Sequence, residues 1–265
     1  MEIIPILLIA LICMALLVGY PVAFTLAGTS ILFALLGIVF GFFDANLFKT
    51  LPMRIFGIMN NQTLLAVPLF VFMGVVLERS GIASKMLRDM AIVFKNTNSG
   101  LSISIIIVGA LLAASTGIVG ATVVTMGLMS LPAMLKQGYD KDFASGLVAS
   151  TGTLGQIIPP SIALVLLGDV MSNAYQRAQN NLGVFSQETV SVGDLFVGAV
   201  VPGLMIVIGY LIYTILINRK KEFVVIEEIK GEANILKPLL PPATLIFVVL
   251  GSIIGGIATP TEAAG

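Results

Sequence analysis

Long apolar runs alternate with short polar breaks along the chain, and this pattern predicts membrane-crossing helices. Positions 3–18 are apolar, Gly19-Tyr20-Pro21 interrupts them, and 22–43 are apolar again. Glycine and proline both disfavour helix continuation, so the break predicts a tight hairpin between two spans. Residues 44–61 are mixed and amphipathic, which suits a segment lying along the membrane interface. A third, shorter span is predicted over 63–77, and 78–100 read as polar and basic. Positions 101–135 are apolar but contain "AASTGIVGATVVTMG". A charged loop at 136–142 precedes the run 143–167, which carries "ASTGTLGQIIPPS". Residues 168–192 are polar, 193–217 form a strong span, 218–237 are charged, and 238–256 are the last clear span before "GIATPTEAAG". Strand-like alternation is absent, so a barrel is not expected and the expected class is all-α.

Composition sharpens this to a polytopic membrane protein. Mean hydropathy is +1.06, and only 11% of the 265 residues are charged. Polar groups in that proportion cannot cover the surface of a water-soluble domain. Net charge is zero, and no basic patch points to nucleic acid. The single cysteine, Cys13, and the absence of histidine remove disulfides, zinc sites and Cys–His nucleophiles. Within the spans there is no pair of acids and no serine with lysine or histidine, so an intramembrane enzyme is not expected. The start, "MEIIPILL", lacks a basic region and a cleavage site and reads as the first membrane helix rather than a signal peptide.

Lysine and arginine set the sidedness. Arg79, Lys85, Arg88 and Lys95 fall in 79–98; Arg219, Lys220, Lys221, Lys230 and Lys237 in 218–237; Lys136 and Lys141 in 136–142. The stretch 168–192 has only Arg177. The first three are expected in the cytoplasm and the last outside. Residues 101–135 then begin and end on one side, as a pair of spans or a re-entrant hairpin. With arms of about 15 residues, short of the roughly 20 needed to cross, the re-entrant form is preferred, its tip near Ser115-Thr116-Gly117. The N-terminus is placed outside. "PILLIALICMALLVGYPVAFTLAG" from Pro5 aligns weakly with "PATLIFVVLGSIIGGIATPTEAAG" from Pro242, and the two copies start on opposite sides, the mark of an inverted repeat.

The two polar interruptions are the candidate site. Backbone left unpaired at membrane depth costs several kcal/mol per group, roughly, so it persists only where protein or water satisfies it. Carbonyls at a half-helix C-terminus, with hydroxyl oxygens, suit a sodium ion; N–H groups at a half-helix N-terminus attract an anion. In this reading 143–151 form the first half-helix, 152–158 are unwound, and Pro159-Pro160-Ser161 open the second half. Ser150, Thr151 and Thr153 supply oxygens at one end; Ser115, Thr116 and the carbonyls around Gly117 supply them at the hairpin tip. Gln156, with Pro160 and Ser161, is assigned to ion ligands or substrate. The competing reading is helix packing, for which small residues are also selected. Asp44, Glu78 and Asp169 are expected in water at span ends, Tyr139 and Tyr175 at the interface, and Pro68 and Pro132 at kinks.

At "GYPVAFTLAG", "VPLFVFMG", "STGIVGATVVTMG", "GTLGQIIPPSI" and "ATPTEAAG" the sequence resembles the large permease subunit of tripartite ATP-independent periplasmic (TRAP) transporters, in that family's order. The resemblance implies a sodium-coupled importer of organic anions such as dicarboxylates, sialic acid or other sugar acids in the bacterial inner membrane. It implies two partners, a small four-helix permease subunit and a periplasmic binding protein, and no cofactor beyond sodium. It also implies a scaffold over 1–62 and half of a mobile transport domain over 63–170, with the hairpin at 101–135 and the broken helix at 143–167. A loop, span and cytoplasmic linker follow over 171–237, and the opening of the second repeat over 238–265. By the same comparison Ser115, Thr116, Gly117, Ser150, Thr151, Gly152 and Thr153 belong where one sodium binds. The family carries a complete second half, of which only "TPTEAAG" and the helix before it are present. The expectation is therefore a first half of an inverted-repeat transporter, truncated or split; a non-transporting scaffold and another sodium–anion symporter are the alternatives.

Overall fold

A computed structural model describes residues 3–94, 97, 99–117, 119–184, 189–219 and 236–265, with Thr116 and 236–238 described by backbone only. Lys95, Lys220, Lys221 and Lys230 lie outside the described residues, as do the side chains of Thr116 and Lys237. The described residues are mostly helical and include no strand. The chain divides into two compact units, Met1–Asn60 and Asn61–Gly265.

In the first unit, α1 (Ile3–Leu16) and α2 (Val22–Val39) pack as an antiparallel pair. Gly19 reverses the chain between them with φ +89°, a backbone conformation that costs glycine nothing. Asp44 accepts from the Asn46 amide at 2.9 Å and starts a short 3-10 turn over Ala45–Lys49, which leads into α3 (Thr50–Met59). Most large apolar side chains here are exposed, as lipid-facing helices require.

The second unit begins with α4 (Gln62–Arg79), capped by Asn61, whose side chain accepts from the Thr63 and Leu64 amides. Then come α5 (Ile82–Val93), α6 (Gly100–Thr116), α7 (Val119–Lys136), α8 (Lys141–Thr153), α9 (Ile162–Asn181), α10 (Val192–Asn218), α11 (Leu236–Ile254) and α12 (Pro260–Ala264). Among the described residues four helices are long and apolar enough to cross a membrane: α2, α4, α7 and α10. One core joins α5, α6, α7 and α8 around Met86, Ile105, Met126 and Ala144. A second joins α4, α9, α10 and α11 around Phe70, Val165, Phe196 and Ile253. The end of the chain docks on the start of α4, where the Thr261 hydroxyl donates to the Gln62 carbonyl at 2.5 Å.

Several expectations change. The stretch 78–100 is not simply a polar loop, because α5 buries Ala83, Met86, Leu87, Met90 and Ala91. That spacing is one helical face, and the intervening Lys85, Arg88 and Asp89 lower the average hydropathy enough to hide it. The loop expected from 168 begins only after Asn181; nothing between Gly168 and Asn181 stops α9, which outruns its apolar part until Gly183 turns it with φ +72°. The expected boundary at 170 therefore falls inside a helix. The hairpin arms have 17 and 18 residues rather than about 15, a rise of about 26 Å each. Tyr139 is buried beside Ser102, with its hydroxyl 3.4 Å from that of Ser102, and burial pushes the phenol above its ordinary value. Glu78 and Asp169 are half-buried and bonded, to the Thr125 hydroxyl and the Asn61 amide group respectively.

Candidate functional site

Local chemistry ends α6 and α8 at one place. Gly117 has φ +60°, and its amide bonds to the Ala113 carbonyl at 3.2 Å, closing α6 with a left-handed turn. The helix α8 runs two residues beyond the expected Thr151, to Thr153, and tightens into a 3-10 turn over Leu154–Gln156. The amides of Ile157 and Ile158 both reach the Leu154 carbonyl at 2.9 Å. Pro159 and Pro160 lie inside the break rather than opening the second half-helix, and having no N–H they leave no donor to satisfy there. The Ser161 hydroxyl donates to the Gln156 carbonyl at 2.8 Å and accepts from the Leu164 amide, so it caps α9. Both interruptions thus hold their backbone groups without a continuous helix.

The hairpin tip and the break meet. Gln156 Nε2 donates to the Gly117 carbonyl at 2.8 Å, across 39 positions of sequence. A Cβ on Gly155 would stand 2.6 Å from the Ala113 carbonyl oxygen, so the two backbones are in contact. A Cβ on Gly117 would meet Ile162 at the start of α9 at 3.1 Å. Two helix C-termini, of α6 and α8, and two N-termini, of α7 and α9, therefore converge. Each C-terminus carries roughly half a negative charge and each N-terminus half a positive one. No charged residue occurs in 100–135 and no basic one in 142–176 to offset the carbonyl ends.

The sequence-predicted residues divide by direction. Gly117, Gln156 and Ser161 are linked by hydrogen bonds, with Pro160 buried between the last two. Ser115 is buried two residues before Gly117, in the last turn of α6. Thr151 is buried against Gly109 of α6, and Gly152 against Val123 of α7, where a Cβ would stand 2.3 Å from the valine methyl. Ser150 lies elsewhere, in a groove with Phe143, Tyr210 and Tyr213, and Thr153 is exposed. Four hydroxyls donate to their own helix: Ser115 to Leu112, Ser150 to Gly146, Thr151 to Leu147 and Thr153 to Ser150, at 2.7–2.9 Å. With the proton turned inward, each oxygen is left to accept. The four do not face one point; uncharged oxygens of this kind, with main-chain carbonyls, are the ligands a monovalent hard cation such as sodium takes. Gly155 was not singled out by sequence reasoning, although it stands within the quoted "GTLGQ"; its role depends on a backbone approach that no local pattern encodes.

Comparison with known proteins gives an independent line. Residues 7–265 match the family model described as "Tripartite ATP-independent periplasmic transporter, DctM component". The chain is 34% identical over 264 residues, 97% of its length, to the C4-dicarboxylate TRAP transporter large permease protein DctM of Vibrio cholerae, covering 52% of that protein. It is 26% identical over 257 residues to the ectoine TRAP transporter large permease protein TeaC of Halomonas elongata, covering 94% of this chain and 54% of TeaC. Similarity to the sialic acid TRAP transporter large permease protein SiaM of Vibrio cholerae is 28% over 252 residues, 93% of this chain and 53% of that protein. The chain spans about half the length of these relatives.

Proposed function

Because the chain belongs to the DctM family of TRAP transporter large permeases, we propose that it forms the first half of a sodium-coupled importer of organic anions. The meeting of the hairpin tip with the broken helix carries this reading. Sodium binds where the C-termini of α6 and α8 converge, held by backbone carbonyls and by the hydroxyl oxygens of Ser115 and Thr153. Ser150 and Thr151, which face away, position this end through α8. Gln156, Pro160 and Ser161 shape the start of α9, whose amides meet the anion. The substrates named for the relatives (a C4-dicarboxylate, ectoine and sialic acid) all carry a carboxylate, the group that a helix N-terminus attracts.

The cytoplasmic side is that of Arg79, Lys136 and Arg219, and the hairpin enters from it. The chain works in the bacterial inner membrane with a small permease subunit and a periplasmic binding protein that delivers substrate. Scintillation-proximity binding of radioactive sodium to the purified chain tests the cation site. Uptake of labelled succinate, ectoine or sialic acid tests coupling, in proteoliposomes holding the chain, the small subunit and the binding protein. An inward sodium gradient is expected to drive uptake; equal uptake in sodium and potassium would refute the coupling.

A further inference from the structure

Helices α5 and α7 flank a cavity of about 350 Å³ that reaches Leu101 of α6. Its walls are mainly apolar: Leu87 and Ala91 from α5, Leu101 from α6, Ala133 from α7. Ser84 Oγ donates to Met129 Sδ at 3.7 Å and bridges the two helices at one end. Among the described residues, three further polar side chains interrupt the lining, Arg88, Ser130 and Gln137, and none that lines it is acidic. Ser130 is 2% exposed, yet its hydroxyl has no hydrogen-bond partner. Serines in the neighbouring helices bond back to their own backbone, as Ser104 does to Gly100 at 2.8 Å. An unsatisfied buried hydroxyl costs about 1–3 kcal/mol, so its retention beside a cavity points to a ligand that accepts from it.

Leu87, Ala91, Leu101 and Ala133 make most of the cavity wall apolar. A small water-borne anion would have no use for such a wall, whereas an amphiphile matches both parts of it. We propose that this cavity is a binding site for one anionic phospholipid. The phosphate pairs with the Arg88 guanidinium and the Gln137 amide, an acyl chain lies along Leu87, Ala91 and Ala133, and Ser130 donates to an ester carbonyl. A guanidinium matches phosphate in a bidentate fork, and basic pockets between membrane helices recognise lipid headgroups in this way. Arg88 is the charged side chain among the described lining residues, and its positive charge favours an anionic over a zwitterionic lipid.

The test uses the full 265-residue chain, delipidated in detergent and titrated with phosphatidylglycerol or phosphatidylcholine, read by native mass spectrometry and thermal unfolding. One phosphatidylglycerol per chain is expected, with a rise in Tm larger than phosphatidylcholine gives. Arg88→Gln is expected to weaken phosphatidylglycerol about tenfold, the loss of one charge-assisted contact, and to abolish the preference between the lipids. Arg79→Gln, outside the cavity, is expected to change neither. Ser130→Ala is expected to raise the Tm of the lipid-free chain while shrinking the lipid-induced rise, an opposition that a purely structural serine would not give. Ala133→Phe, which fills the cavity and leaves Arg88 in place, is expected to abolish binding. Lipid retained by Ala133→Phe, equal binding of the two lipids, or a dimer without lipid in the mass spectrum would overturn the proposal.

Discussion

Replacing Gly155 by alanine perturbs the junction with a single methyl group. The added Cβ would stand 2.6 Å from the carbonyl oxygen of Ala113, 3.1 Å from its carbon and 3.2 Å from its Cα. All three are backbone atoms, so no side chain can rotate away. An ordinary carbon–oxygen contact is about 3.3 Å or more, so the break and α6 must separate by about 0.7 Å. The Gln156–Gly117 hydrogen bond, now 2.8 Å, would stretch to about 3.5 Å, beyond useful length. Overpacking of this kind costs about 1–3 kcal/mol, and the lost bond adds about 0.5–1.5 kcal/mol, so a destabilisation of about 2–4 kcal/mol is expected. Gly127→Ala is the matched control: it lies in α7, and its Cβ would meet only Val148 Cγ1 at 3.8 Å. Helix propensity there favours alanine by up to about 1 kcal/mol. Both variants are compared by equilibrium unfolding in mixed micelles and by radioactive sodium binding. Gly155→Ala is expected to lose stability and sodium together, and Gly127→Ala to lose neither. If the two variants unfold alike, the backbone contact does not seat the hairpin and the reasoning fails.

Gln156→Leu keeps the bulk but removes the bond to Gly117; a loss of about 1–2 kcal/mol and weaker sodium binding are expected by the same two assays. Sodium at a hundred times its dissociation constant should stabilise the chain by about 2.7 kcal/mol, seen as a Tm rise that equimolar potassium does not give. Asn61→Ala removes the cap of α4 and the 2.9 Å bond to Asp169, so unfolding should ease by about 1–2 kcal/mol. Glu262 is held below the ordinary carboxyl range by the Thr259 amide, then by the Thr259 hydroxyl. A depressed pKa means that the cap on α12 is present at neutral pH and is lost as pH falls through that lowered value. Hydrogen exchange corrected for intrinsic rate should show faster opening of α12 in acid, and Glu262→Gln should abolish the difference.

Both interruptions were legible in the sequence because Ser, Thr, Gly and Pro displace the apolar residues that a lipid-facing helix needs. Their boundaries were less so. Hydropathy falls at 168, but no breaker follows, so α9 continues to Asn181 as a helix whose composition changes midway. The buried face of α5 was masked by three charges on its other face. Which hydroxyl points where was out of reach: Ser150 and Thr151 are adjacent in the chain, yet one turns toward Tyr213 and the other toward Gly109. Helical geometry separates neighbours by about 100°, and nothing local says which of them meets the hairpin. The Gln156–Gly117 bond was invisible for the same reason, since it spans 39 positions.

The seat between hairpin and broken helix is made from main chain: Gly155 lies on a peptide carbonyl, and an amide side chain grips another. A fit of that kind asks only for the lack of a methyl at Gly155 and an amide at Gln156. Adjacent positions are released from holding the two pieces together, so their side chains are free to vary while the seat itself stays as it was.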